Sequence, residues 1–107
     1  MPTITEPKAV TFLPPIHPGE ILREEYLVPL GLSAGALARR LGLPRTRIER
    51  VAAESTAITP DTALRLARYF GTTPNFWLNM QAGYDLAVAA QAAAEQIAAI
   101  EPRRAAG

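Results

Sequence analysis

The sequence predicts an all-α domain of five helices, two of which form a helix-turn-helix. Three observations carry that expectation. Apolar residues recur at three- and four-residue spacing, and nowhere do they alternate with polar residues as in a half-buried strand. Start signals (Ser33, Thr59-Pro60, Thr73-Pro74) and stop signals (Gly31, Gly42, Gly71) punctuate the chain at helix-length intervals. Between them, residues 34–51, AGALARRLGLPRTRIERV, read as two short helices joined by a tight turn.

Taken in order, residues 1–15 carry four prolines and predict an extended N-terminal arm, with Val10, Phe12 and Leu13 available to dock on the body. Pro18 and Gly19 lead into a first helix through about Val28, stopped by Pro29 and Gly31, with Ile21, Leu22, Tyr26 and Leu27 as its apolar spacing. Ser33 is a good N-cap for the second helix, which ends at Gly42. Leu37 and Leu41 share one face of it, and Ala38 beside them lets a neighbouring helix come close. Gly42 supplies the positive φ that a tight interhelical turn needs. Pro44 suits the first turn of a third helix reaching about Ala53, on which Ile48 and Val51 form a narrow apolar stripe. Arg45, Thr46, Arg47, Glu49 and Arg50 point elsewhere, giving a short, cationic helix of the kind a major groove accepts. A plain helical hairpin with a solvated arginine face is the competing reading of the same segment.

Thr59 caps a fourth helix in which Ala63, Leu64, Leu66, Ala67 and Phe70 form the apolar side, and Gly71 stops it. Thr73-Pro74 opens the fifth. Phe76 and Trp77 point about 100° apart on it, so one is expected in the core and the other at an interface. From Leu86 to Ile100 the chain is alanine-rich: strongly helical, but with little bulk to bury, so it should lie against a partner. Its last residues, EPRRAAG, read as unstructured. The expected division is thus an arm at 1–15, a helix-turn-helix domain at 16–86, and an alanine-rich C-terminal helix and tail at 87–107.

A chain of 107 residues makes one domain with a thin stability margin, which pairing with a second copy would improve. Net charge is only +1, so bulk charge does not argue for nucleic acid. Its distribution does: residues 39–50 hold five arginines and one glutamate, whereas residues 20–25 hold three glutamates and one arginine. There is no cysteine, no membrane-length apolar run and no signal-peptide pattern, so a soluble cytoplasmic protein is expected, without membrane contact. His17 stands alone without further metal ligands and reads as a local contact at the mouth of the first helix. Glu24 and Glu25 splay around the helix, no glycine-rich phosphate loop occurs, and no hydroxyl has a base-and-orienter set. No enzyme, metal or cofactor is expected.

Three segments together give the chain a family likeness: IHPGEILREEYLVPLGLS at 16–33, ALARRLGLPRTRIERV at 36–51 and ITPDTALRLARYFGTTPNFWLNMQAGYDL at 58–86. They resemble the HigA-type, VapI-like antitoxins of the Xre/Cro helix-turn-helix family. The resemblance implies a lambda-repressor-like five-helix bundle that dimerises, represses its own operon and neutralises a ribonuclease toxin. It departs from the family pattern at Ala34, often glutamine; at Glu49, often asparagine; and at 54–57, Glu-Ser-Thr-Ala, commonly glycine followed by basic residues.

In such a motif the first residues of the third helix reach base edges. Arg45 and Thr46 are then the leading base readers, with Glu49 and Arg50 one turn on; Glu49 either accepts from cytosine or, preferably, orients Arg45 or Arg50 by ion pairing. Ser33, Arg39 and Arg47 are the expected phosphate contacts. Because one helix reads few base pairs, a two-fold dimer on double-stranded operator DNA is expected, with Trp77, Val88, Ala92 and Ile97 at its interface. The alternative is a protein-interaction module of the same fold with weakened or lost DNA binding.

Overall fold

His17 starts the first helix with a side-chain cap: its Nδ1 accepts a hydrogen bond from the Gly19 N–H at 2.8 Å, while its ring packs edge-on against Tyr84, 4.8 Å between centroids. The computed structural model describes residues 15–104, all-helical in their regular structure; the arm residues Val10, Phe12 and Leu13, and residues 105–107, lie outside the described residues. Helix α1 (18–30) begins as an α-helix over Pro18–Ile21, widens to a π-helix over Leu22–Leu27 and closes over Val28–Leu30. The helix therefore passes through Pro29 to Leu30, two residues beyond the expected end at about Val28, and stops at Gly31 as expected. Proline in an α-helix clashes with the carbonyl four residues back. Here the turn before it is already wide, with the Val28 N–H donating to Arg23 O, and Gly31 ends the helix at φ +60.

The helix-turn-helix is α2 (Ala34–Leu41) and α3 (Arg45–Ala52). Ser33 Oγ caps α2 by accepting from the Ala36 N–H at 3.0 Å. Gly42 follows at φ +71, and the Leu43 N–H returns to Ala38 O at 2.9 Å, closing the helix by a 6→1 bond. Arg65 Nη1 donates to the nearby Leu41 carbonyl at 2.8 Å. The turn geometry makes an expected outcome concrete. A β-branched residue at φ +71 is strained by about 1–2 kcal/mol, and Gly42→Val should lower the melting temperature by about 5–10 °C in a domain of this size. An unchanged melting curve would contradict this account of the turn. Pro44 precedes α3 as its N-cap residue, extended at ψ 144, and does not enter the helix.

Helix α4 (Pro60–Phe70) is capped by Thr59 and ended by Gly71; α5 (Pro74–Ala92) is capped by Thr73, whose Oγ1 accepts from the Phe76 N–H at 3.1 Å. Helices α1 to α5 all contribute to one core of Leu22, Leu37, Ile48, Leu66, Trp77 and their neighbours. Gln81 braces it from within: its Oε1 accepts from the Ile58 N–H at 2.8 Å and its Nε2 donates to Asp85 at 3.0 Å, so the buried amide is satisfied. Leu64, read as apolar-side, instead faces outward at 59% exposure, because Ala63, Leu66 and Ala67 already meet the neighbouring helices.

Two expectations about the C-terminal interface need correction. Trp77 is fully buried within its own chain. Its Nε1 donates to Thr72 Oγ1 at 2.8 Å, and Tyr26, Phe70 and Phe76 surround its ring. It closes the core, and Phe76 beside it is the exposed member of the pair. The alanine-rich segment is also not one helix: α5 ends at Ala92, Ala93 turns out at φ −113, and α6 (Ala94–Ala98) restarts. Val88 and Ala92 lie on α5 and Ile97 on α6, so the expected stripe is interrupted. All three are solvent-exposed in the single chain. Residues 101–104 follow without regular structure.

Candidate DNA-reading face

Helix α3 is anchored through Ile48 and Val51, both fully buried, which turns its opposite side outward. Thr46, Glu49 and Arg50 are exposed there, and Arg45 has 71% of its side chain in solvent. Arg45 Nε lies 3.4 Å from Glu49 Oε2, one turn along the helix. An exposed i,i+4 pair stabilises by only a few tenths of a kcal/mol, so it orients Arg45 without locking it away from another partner. Arg45 also leans across α2. A methyl group added to Gly35 would sit 3.0 Å from Arg45 Cδ, so the arginine stem crosses α2 where no side chain intervenes. Gly35 is a residue the sequence reading passed over. Its signal was present: glycine inside a helix costs about 1 kcal/mol relative to alanine and asks for a reason.

The expected phosphate contacts are placed differently from one another. Arg39 is exposed in the last turn of α2. Ser33 is exposed, with its oxygen engaged in the α2 cap. Arg47 is half-buried and leans toward the start of α4, its Nη1 3.4 Å from Thr62 Oγ1. Pro44, Thr46, Arg47, Arg50 and Thr56 together line a shallow cleft of about 240 Å³ beside the reading edge.

The far end of α3 is closed by its own loop and by α1. Glu54 adopts φ +64, unusual for a residue other than glycine, in the position where the resembling family commonly has glycine. Arg23, on the π-helical stretch of α1, donates Nη2 to Glu54 Oε2 at 3.2 Å, Nε to Glu24 Oε2 at 2.9 Å and Nη1 to the Ala52 carbonyl. Hydrogen bonds to Glu24 first, then Glu54, raise its pKa above the ordinary arginine value. Nothing in the sequence marked Arg23, since two of its three partners, Ala52 and Glu54, lie about thirty residues away.

A two-helix motif with a glycine turn and an exposed arginine at the start of its second helix defines a helix-turn-helix DNA-binding domain. Comparison with known proteins agrees: a helix-turn-helix family model matches residues 22–77. Virulence-associated protein I of Dichelobacter nodosus is 60% identical over 79 residues, covering 74% of this chain and 73% of that protein. Antitoxin HigA-1 of Vibrio cholerae is 38% identical over 72 residues, covering 67% and 68%. Among solved structures, the Pseudomonas aeruginosa antitoxin HigA with the higBA promoter superposes with a TM-score of 0.82 at 45% identity, covering 84% of this chain and 99% of that one. The chain belongs to the helix-turn-helix family and, within it, to the HigA-type antitoxin branch. No helix of the described residues is long and apolar enough to cross a membrane.

Proposed function

We propose that this protein is the antitoxin of a toxin–antitoxin pair, binds operator DNA as a dimer and represses its own operon. The observation that carries the reading is Arg45, held outward at the start of α3 beside Thr46. Arg45 and Thr46 lead base recognition, arginine bridging guanine O6 and N7 and the threonine methyl meeting a thymine methyl. Glu49 orients Arg45, Arg50 extends the reading edge, and Ser33, Arg39 and Arg47 position the backbone. A ribonuclease toxin from the same operon is the protein partner that the family relationship supports, and the site of action is the cytoplasm, where the operon lies. The loop at 54–57 favours a second reading, an interaction module with weakened DNA binding. It carries no basic residue, and its one charged side chain, Glu54, is paired to Arg23.

Titrating the promoter duplex at two salt concentrations tests this reading. We expect binding at least about 10³-fold tighter than to a scrambled duplex, weakening with salt by a log–log slope of about −0.9 per neutralised phosphate. Equal affinity for both duplexes would favour the second reading. The dimer is carried by the exposed residues Val88, Ala92 and Ile97 of the C-terminal segment. Deleting residues 87–107 should shift sedimentation toward monomer and weaken full-operator binding far more than half-site binding. A truncated protein that stays a tight dimer with unchanged operator affinity would move the interface toward Phe76.

A further inference from the structure

The C-terminus of α3 has four carbonyls without partners inside the helix. Three are met by the following loop. Glu49 O accepts from the Ala53 N–H at 2.9 Å, Arg50 O from the Ser55 N–H at 2.9 Å and Val51 O from the Glu54 N–H at 2.9 Å. The fourth, on Ala52, is met from another helix, by Arg23 Nη1. The same guanidinium holds Glu54, the residue at φ +64 that shapes the loop. One side chain thus fixes the last carbonyl of α3 and the turn that satisfies the other three. A positive charge at this end also complements the helix dipole. Just N-terminal to Arg23, Gly19 packs so tightly on the Val51 carbonyl that an added methyl group would overlap it. Helix α1 therefore grips the last turn of α3 at two successive points.

We propose that Arg23 is a positioning residue for DNA reading: it holds the far end of α3 and so sets the angle at which Arg45 and Thr46 enter the groove. Helix α3 is eight residues long, or about 12 Å, so a tilt of about 5° about its C-terminal end displaces the Arg45 end by about 1 Å. Bidentate recognition of a base does not tolerate a looseness of that size. This role rests on the operator-binding reading above, and it assigns Arg23 no contact with DNA.

The test uses the full chain carrying Arg23→Met, which keeps the half-buried stem but removes every donor, and Arg23→Lys, which keeps the charge but loses the planar fork. Two measurements are made, both well below the melting temperature of each variant. In the first, amide hydrogen exchange is followed at residues 53–55. Arg23→Met should speed exchange there at least about tenfold, since these amides close the clamped turn, while the α4 amides stay unchanged. In the second, affinity is measured for the promoter duplex and for a scrambled duplex across salt. Arg23→Met should lose at least about tenfold for the promoter and less than about twofold for the scrambled duplex, with an unchanged salt slope. Arg23→Lys should recover only part of the loss. A reduced salt slope with full rescue by lysine would overturn the proposal in favour of a direct phosphate contact. Equal losses on both duplexes would make Arg23 merely structural. If the wild-type chain ignores the promoter duplex, the operator reading fails. The exchange measurement then still decides whether Arg23 holds the turn, and unchanged exchange in Arg23→Met refutes the clamp outright.

Discussion

Replacing Trp77 with alanine should leave the domain only marginally stable, with a substantial unfolded fraction at physiological temperature. Its ring is fully buried, with the centroids of Tyr26 and Phe76 at 5.3 and 5.1 Å and its Nε1 bonded to Thr72. Truncating a buried tryptophan costs about 3–5 kcal/mol, from lost burial and the cavity left behind. A small domain has a total stability near the low end of about 5–15 kcal/mol, so little remains. Urea unfolding followed by circular dichroism measures the effect; tryptophan fluorescence cannot, since this is the only tryptophan. Phe76→Ala, one residue away and partly exposed, should cost far less. Near-native stability of Trp77→Ala, with a change in sedimentation instead, would return Trp77 to an interface role.

The second large effect falls on Gly19. A methyl group there overlaps the Val51 carbonyl oxygen, which belongs to the backbone and cannot swing aside. Overpacking of this kind costs about 1–3 kcal/mol, and Gly19→Ala should lie at the upper end. Relief comes by parting α1 from the last turn of α3, so promoter affinity should fall alongside the melting temperature. A variant that melts and binds like the wild type would show that α1 and α3 can slide apart freely, and the two-point grip would be wrong.

Much of the fold was legible because it is written in local chemistry. Ser33, Thr59 and Thr73 cap the helices they were read to cap, and Gly31, Gly42 and Gly71 sit at positive φ where they were read to stop them. Such signals depend on residues within one turn. Illegible features depend on how the helices come together. Adjacent aromatics on one helix differ by a rotation that only neighbouring helices resolve, and they chose Trp77 for the core. Leu64 has the hydrophobicity of its inward neighbours but the wrong azimuth. The turn at Ala93 carries no sequence mark, because alanine on both sides favours helix equally. In the candidate site, Arg45 and Glu49 were readable as an i,i+4 pair on one helix. Arg23 was not, because its value lies in a carbonyl and a carboxylate that only the fold brings to it.

The central claim is that α3 reads bases through Arg45 while Arg47 only positions the backbone. The most direct test is a promoter duplex varied one base pair at a time, titrated with wild type, Arg45→Ala and Arg47→Ala. Arg45→Ala should lose about 1–3 kcal/mol on the native duplex and become indifferent at one operator position. Arg47→Ala should weaken every duplex alike and reduce the salt slope by about one. If the two variants give the same profile across the series, the division between reader and positioner is contradicted, and with it the assignment of the DNA-reading edge.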